Sequence, residues 1–117
     1  MDFDQAIQKH AEWKIKFRSA ITKQVTMDAA TISKDNCCDF GKWLYGDARI
    51  KIGHYASYSE CVTKHAAFHA EAGKVAAAIN HKKFAEAEKM IGSNTSYAAA
   101  STAVAGTILK LKKEAKL

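Results

Sequence analysis

Apolar side chains recur as Phe3, Ala6, Ile7, Trp13, Phe17, Ala20 and Ile21 near the start of the chain, the spacing of one face of a helix. This predicts a first helix from about Asp4 to Gln24, with Asp2 and Asp4 suited to its N-terminus. A second stripe, Tyr58, Cys61, Val62, Phe68, Ala72, Val75, Ala76 and Ile79, predicts a long helix from about Ser57 to Asn80, with Ser57 and Glu60 placed as a capping box. Phe84, Ala87 and Ile91 mark a shorter helix from about Lys82 to Ile91. Tyr97, Val104, Ile108 and Leu111 mark the last one, from about Thr95 to Lys116.

Between the first two stripes the pattern weakens. Thr26, Asp28, Thr31, Ser33, Asp35 and Asn36 offer turn and cap chemistry over Val25 to Asn36, a connection with one short helical turn. Asp35 or Asn36 reads as the N-cap of a short helix from about Cys37 to Tyr45. Gly46-Asp47 ends it, and Ala48 to Ser57 reads as a loop or broken turn. Three long helices and two short ones on short connections predict an all-α domain over residues 1–117: an antiparallel four-helix bundle with an additional short helix. The chain has no proline, which agrees.

A net charge of +6 raises nucleic acid or an acidic surface as partners. The lysines are spread over every helix, however. The densest group, Lys110, Lys112, Lys113 and Lys116, lies in the last turns of the final helix, where cations suit the dipole. Aromatic residues do not interleave with them as a stacking platform requires. The charge reads as a solvated face, and no nucleic acid is expected. The three cysteines, two of them adjacent at Cys37 and Cys38, do not make a disulfide framework and suit a reducing compartment. No leader pattern opens the chain and no stretch reaches the length of a membrane span. A soluble, cytoplasmic protein is expected.

What changes the picture is the placement of histidine. His65 and His69 stand four apart, on the same helix face and inside the apolar stripe, and His10 falls inside the first stripe. Buried imidazoles without partners cost free energy, and neighbours that can both charge cost more. A shared metal ion would compensate them. With a thiolate from Cys37 or Cys38 the set becomes three nitrogens and one sulfur, the donors of tetrahedral zinc. Four protein donors leave no position for a reactive water, so the site reads as closed and the protein as no enzyme. Ala66 follows His65 where a zinc protease carries its glutamate. Periodicity over the short helix places Cys37 with Phe40, Gly41 and Leu44 on the inward side. His81 reads as a solvent-facing helix end, His54 as a loop residue, and Cys61 as core.

The stretch Cys38-Asp39-Phe40-Gly41-Lys42-Trp43-Leu44-Tyr45-Gly46, preceded by His10 and Trp13 and followed by His65-Ala66-Ala67-Phe68-His69, resembles the chemoreceptor zinc-binding (CZB) domain family. The family pattern is a histidine in the first helix, then C-x-[LF]-G-x-W, then H-x-x-F-H. The resemblance implies a mainly four-helix bundle holding one Zn(II) through His10, Cys38, His65 and His69. It thereby chooses Cys38 over the cysteine that periodicity favours, and leaves Cys37 as a second thiol or alternative ligand. It implies close helix approach at Gly41, with Trp43, Leu44 and Phe68 packed around the site. It also implies a homodimeric sensor of zinc or oxidants, fused to or associated with a signalling domain such as a chemotaxis receptor or diguanylate cyclase. A structural zinc-stabilised dimerisation module uses the same ligands without a signal. A metal-free helical adaptor leaves the buried histidines unexplained.

Overall fold

The computed structural model describes residues 1–115. It is all helical, with eight segments and no strand among the described residues: α1 (Phe3–Ala11), α2 (Trp13–Lys23), α3 (Ala29–Ile32), α4 (Asp39–Tyr45), α5 (Asp47–Ile52), α6 (Ala56–Asn80), α7 (Phe84–Met90) and α8 (Ser96–Ala115). The final helix thus begins within a residue of its predicted start, and Lys116, its expected end, lies outside the described residues.

The long α6 is the centre of the fold. Cys61, Phe68, Ala72, Val75 and Ala76 on its predicted stripe are fully buried, packed chiefly against α8, which contributes Tyr97, Val104, Ile108 and Leu111 to the core. The two helices run in opposite directions, because the start of α6 meets the end of α8. Ser57 donates its backbone N–H and its hydroxyl to Glu114 Oε1 at 3.3 and 2.8 Å, and Lys110 lies 3.4 Å from Glu60. The start of α1 meets the same end of α8 through Asp4 and Lys112 at 3.1 Å. These exposed ion pairs add little stability, but they give two of the clustered lysines carboxylate partners on the helical surface.

Local chemistry departs from the sequence reading at four places. The first helix is interrupted at Glu12, where the ladder tightens (φ −65°, ψ −17°) before resuming with Lys16 N–H to Glu12 C=O at 3.1 Å. The fourth helix starts at Asp39 and its N-cap is Cys38, whose sulfur accepts the Gly41 N–H at 3.3 Å; neither Asp35 nor Asn36 caps it. The stretch read as a loop holds α5, with Ala48 and Ile52 turned into the core. The capping box at Ser57 does not form, because α6 begins one residue earlier and the Ser57 hydroxyl is taken by Glu114 from a distant helix. At its other end α6 closes with Lys82 in the left-handed region (φ 61°). The N–H of Lys82 bonds Ile79 C=O at 3.0 Å and that of Lys83 bonds Ala78 C=O at 2.9 Å, a Schellman closure.

Two contacts hold the 25–38 connection against α6. Asn80 pairs reciprocally with Met27, donating from Nδ2 to its C=O at 2.8 Å and accepting its N–H at 2.7 Å. Gly73, one turn beyond His69, lets the end of α3 approach, because a Cβ there would stand 2.5 Å from Ser33 Cβ. Gly106 in α8 faces open space, with nothing within 4 Å of the same position. Alanine should therefore act oppositely at the two glycines. Gly106→Ala should stabilise by about 0.5–1 kcal/mol through helix propensity alone. Gly73→Ala should destabilise by about 1–3 kcal/mol through overpacking. Urea denaturation of both variants checks the pair, and equal effects at the two positions would contradict the packing.

Candidate metal centre

Each of the four sequence-predicted site residues is delivered by a helix that the core orients. His10 lies on the buried face of α1, in the last turn. His65 and His69 lie one turn apart on the buried face of α6. Cys38 stands at the N-terminal end of α4. Their donor atoms lie within 4.8 Å of one another. His65 Nε2 stands 3.1 Å from both His10 Nε2 and His69 Nε2. Cys38 Sγ stands 3.3 Å from His65 Nε2 and 3.5 Å from His69 Nε2.

The outer nitrogens say what the inner ones carry. His10 Nδ1 is 2.7 Å from the C=O of Ala6, one turn back, and His69 Nδ1 is 2.9 Å from the C=O of Ile32 at the end of α3. A carbonyl only accepts, so both Nδ1 atoms carry the hydrogen and both Nε2 atoms present a lone pair to the cluster. His65 Nε2 faces both, and a single hydrogen there could serve only one of them. His65 Nδ1 is buried without a partner among the described residues. Three nitrogen lone pairs and a sulfur converging at these distances repel one another unless a cation lies among them.

The donor set fits a metal. Bond lengths of tetrahedral zinc imply separations of about 3.4 Å between two nitrogens and about 3.6 Å between nitrogen and sulfur, against 3.1 Å and 3.3–3.5 Å here. The carbonyls of Ala6 and Ile32 are the outer-shell acceptors that fix imidazole orientation in metal sites. Ala6 was legible as the residue four before His10. Ile32 was not, because only the packing of α3 on α6 brings it there.

Electrostatics point the same way. Burial lowers the pKa of all three histidines. For His65, to which His69 and His10 add repulsion, the value falls to about 3. Backbone hydrogen bonding from Ala6 and Ile32 offsets part of the shift in the other two. Burial raises the Cys38 thiol, against the N–H groups of Gly41 and Phe40 that favour its thiolate. Neutral imidazoles are what a metal requires, and a cation among the donors reverses the penalty on the thiolate.

Aromatic rings enclose the cluster. Phe40 stacks edge-on against His10 and His65, and Phe68 against His10 and His69, with centroids 5.3–5.9 Å apart. Trp43 packs one layer out, on Phe40 and Phe3. Leu44 is fully buried and its C=O accepts the Tyr58 hydroxyl at 2.7 Å, tying α4 to α6. Gly41 is needed for this approach, because a Cβ would collide with the Asp35 carbonyl and lie 3.2 Å from His65 Cε1. Cys37 is exposed and outside the cluster. The periodicity that turned it inward fails because α4 begins after both cysteines, so neither obeys its helical phase. Cys61 is fully buried, its thiol pushed up to about 11 by burial. His54 and His81 are exposed.

A group whose folded pKa lies below its unfolded value binds protons more readily when unfolded. The stability associated with these histidines is therefore complete above about pH 6.5 and is lost as pH falls toward the folded values. Metal-free protein should lose unfolding free energy between pH 6.5 and 5, by up to roughly 1.4 kcal/mol per pH unit for each buried histidine. Urea titrations at half-unit pH steps read this directly, and His65→Asn should make the slope shallower. A flat profile over that window would contradict the neutral cluster.

The chemoreceptor zinc-binding domain, CZB, matches the chain over residues 10–76. Comparisons with curated proteins and with solved structures give no match. Because the family match spans more than half of the 117 residues and runs from the first of the convergent histidines past the last, the chain belongs to the chemoreceptor zinc-binding domain family.

Proposed function

We propose that this chain is a zinc-binding sensory domain in which His10, Cys38, His65 and His69 hold one Zn(II). The observation that carries the reading is the convergence of two Nε2 lone pairs, fixed by the Ala6 and Ile32 carbonyls, on His65 Nε2 and the Cys38 sulfur. All four donors come from protein, so the domain binds rather than catalyses. When bound, the ion supplies the charge that keeps the Cys38 sulfur deprotonated.

Two inputs fit this chemistry. Zinc occupancy couples α1, α4 and α6 and so biases their packing. An oxidant acts on sulfur: hypochlorous acid transfers oxygen to the Cys38 thiolate, giving a sulfenic acid and chloride, so that sulfur is oxidised and chlorine reduced. Either input removes or alters a tie between α4 and α6. The scaffold reads as a single domain in the form of an antiparallel four-helix bundle with added short helices, supported by the opposed ends of α6 and α8 and of α1 and α8. The domain acts as a homodimer beside a signalling module, a chemotaxis receptor or a diguanylate cyclase, in the cytoplasm. No described helix is long and apolar enough to cross a membrane.

Elemental mass spectrometry of the purified protein should find about one zinc per chain. Alanine at His10, Cys38, His65 or His69 should release or loosen it, and Cys37→Ala should not. No stoichiometric metal after zinc is supplied would overturn the reading. Zinc that binds but changes only the unfolding temperature, leaving hydrogen exchange in α4 and α6 of the folded state unaltered, would favour a purely structural dimerisation module.

A further inference from the structure

Cys37 has no place in the cluster, yet it is covalently adjacent to the one donor that can be oxidised. Three observations bear on what it can do. First, Cys38 is only half-buried, and a cleft of about 270 Å³ between α1 and the start of α4, lined by Cys38, His10, Trp13 and Phe40, opens it to small molecules. Lys9 and Asp39, 3.7 Å apart and well exposed, also line this cleft. Second, Cys37 is exposed, its sulfur 3.6 Å from Asn36 Oδ1 and outside the aromatic enclosure. Third, the peptide joining the two cysteines precedes α4 and takes part in no backbone–backbone hydrogen bond among the described residues.

The third observation matters because adjacent cysteines pair only with distortion. Consecutive Cα atoms are about 3.8 Å apart, whereas ordinary disulfides span about 4.4–6.8 Å. A bridge between neighbours forces the intervening peptide to turn. In a helix that would break backbone hydrogen bonds, whereas here the intervening peptide has none to break and the Cys38 sulfur gives up the Gly41 N–H. The resulting strain makes such a bond easy to reduce, which belongs to regulatory disulfides and not to structural ones.

We propose that Cys37 is the resolving thiol for Cys38, closing a reversible disulfide between adjacent residues that withdraws the Cys38 sulfur from the histidine cluster. This rests on the oxidant-sensing reading of the same site. In the first step hypochlorous acid oxidises the Cys38 thiolate to sulfenic acid and is reduced to chloride. In the second, the Cys37 sulfur attacks the Cys38 sulfur. The S–S bond forms, the S–O bond breaks, and the hydroxide leaves with the Cys37 proton as water. Both sulfurs are then at the disulfide level, and a dithiol reductant returns them to thiols. Capture by Cys37 also protects Cys38 from the irreversible sulfinic and sulfonic acids. Cys61, fully buried, is left as a thiol.

The test treats zinc-loaded protein with hypochlorous acid at one and at about three equivalents per chain, enough to carry an unprotected thiolate to sulfonic acid, then alkylates it under denaturing conditions and measures intact mass. A chromogenic chelator follows zinc release in parallel. Of the three cysteines, only Cys61 should remain alkylatable, in a monomer lighter by two hydrogens. Dithiothreitol should restore the other two thiols and allow zinc to rebind. Cys37→Ser should bind zinc as wild type does and release it on oxidation, but at about three equivalents its Cys38 should gain two or three oxygens and dithiothreitol should not restore it. Wild-type Cys38 over-oxidised in the same way, disulfide-linked dimers through Cys37, or equal recovery in Cys37→Ser would each overturn the resolving role while leaving Cys38 as the sensor. Unmodified Cys38 with no zinc released would instead sink the oxidant reading on which the proposal stands.

Discussion

Two backbone carbonyls, Ala6 on α1 and Ile32 at the end of α3, hold two imidazoles so that their lone pairs meet. Much of the remaining structure keeps that meeting in place. His10 and His69 cannot turn their Nε2 atoms away without losing a buried hydrogen bond, and His65, fully buried between them, has no solvent to face. Burial drives all three toward the neutral form, so the arrangement is poised for a cation and disfavours a proton. The cost of assembling such a cluster falls on folding, and metal binding is what offsets it.

Packing around the cluster is built to the same end. Gly73 admits Ser33 and thereby the Ile32 carbonyl, and Gly41 admits the Asp35 carbonyl and the His65 ring. Asn80 grips both polar groups of Met27 and so anchors the far side of the connection. Phe40 and Phe68 exclude water from the nitrogens. The sulfur is the most exposed of the four donors, at an edge reached by a cleft that His10 also lines. Three buried imidazoles and one half-buried sulfur thus differ in access, and the sulfur belongs to the residue that caps a helix of only seven residues.

Helix type and burial face were readable wherever the pattern ran for several turns. The stripe on α6 and the heptad-like spacing on α8 both describe real buried faces, since a long helix has few ways to hide that many apolar groups. Among two-turn segments, α7 was readable, with Ala87 and Ile91 buried as expected, but the stretches around Cys37 and Ala48 were not. Over Cys37 to Tyr45 the phase pointed to Cys37, and the actual start at Asp39 turned that choice over. The Ala48 to Ser57 stretch hides α5 because six residues carry too little periodicity to separate a helix from a loop. The capping box at Ser57 failed for a different reason: Glu114, far away in sequence, competes for the same hydroxyl.

The amino-acid sequence by itself determined that this protein is helical and that His10, His65 and His69 lie on buried faces, because periodicity is a local property of the chain. It also determined the family, through a motif in which Cys38 stands three before a glycine. Tertiary structure alone decided that the donor atoms converge within 4.8 Å, which nitrogen of His69 is free, and that Cys37 faces solvent. Each of these depends on how α1, α3 and α4 are set against α6. That placement comes from glycine clearances and carbonyl positions far apart in the chain, and no local spacing encodes it.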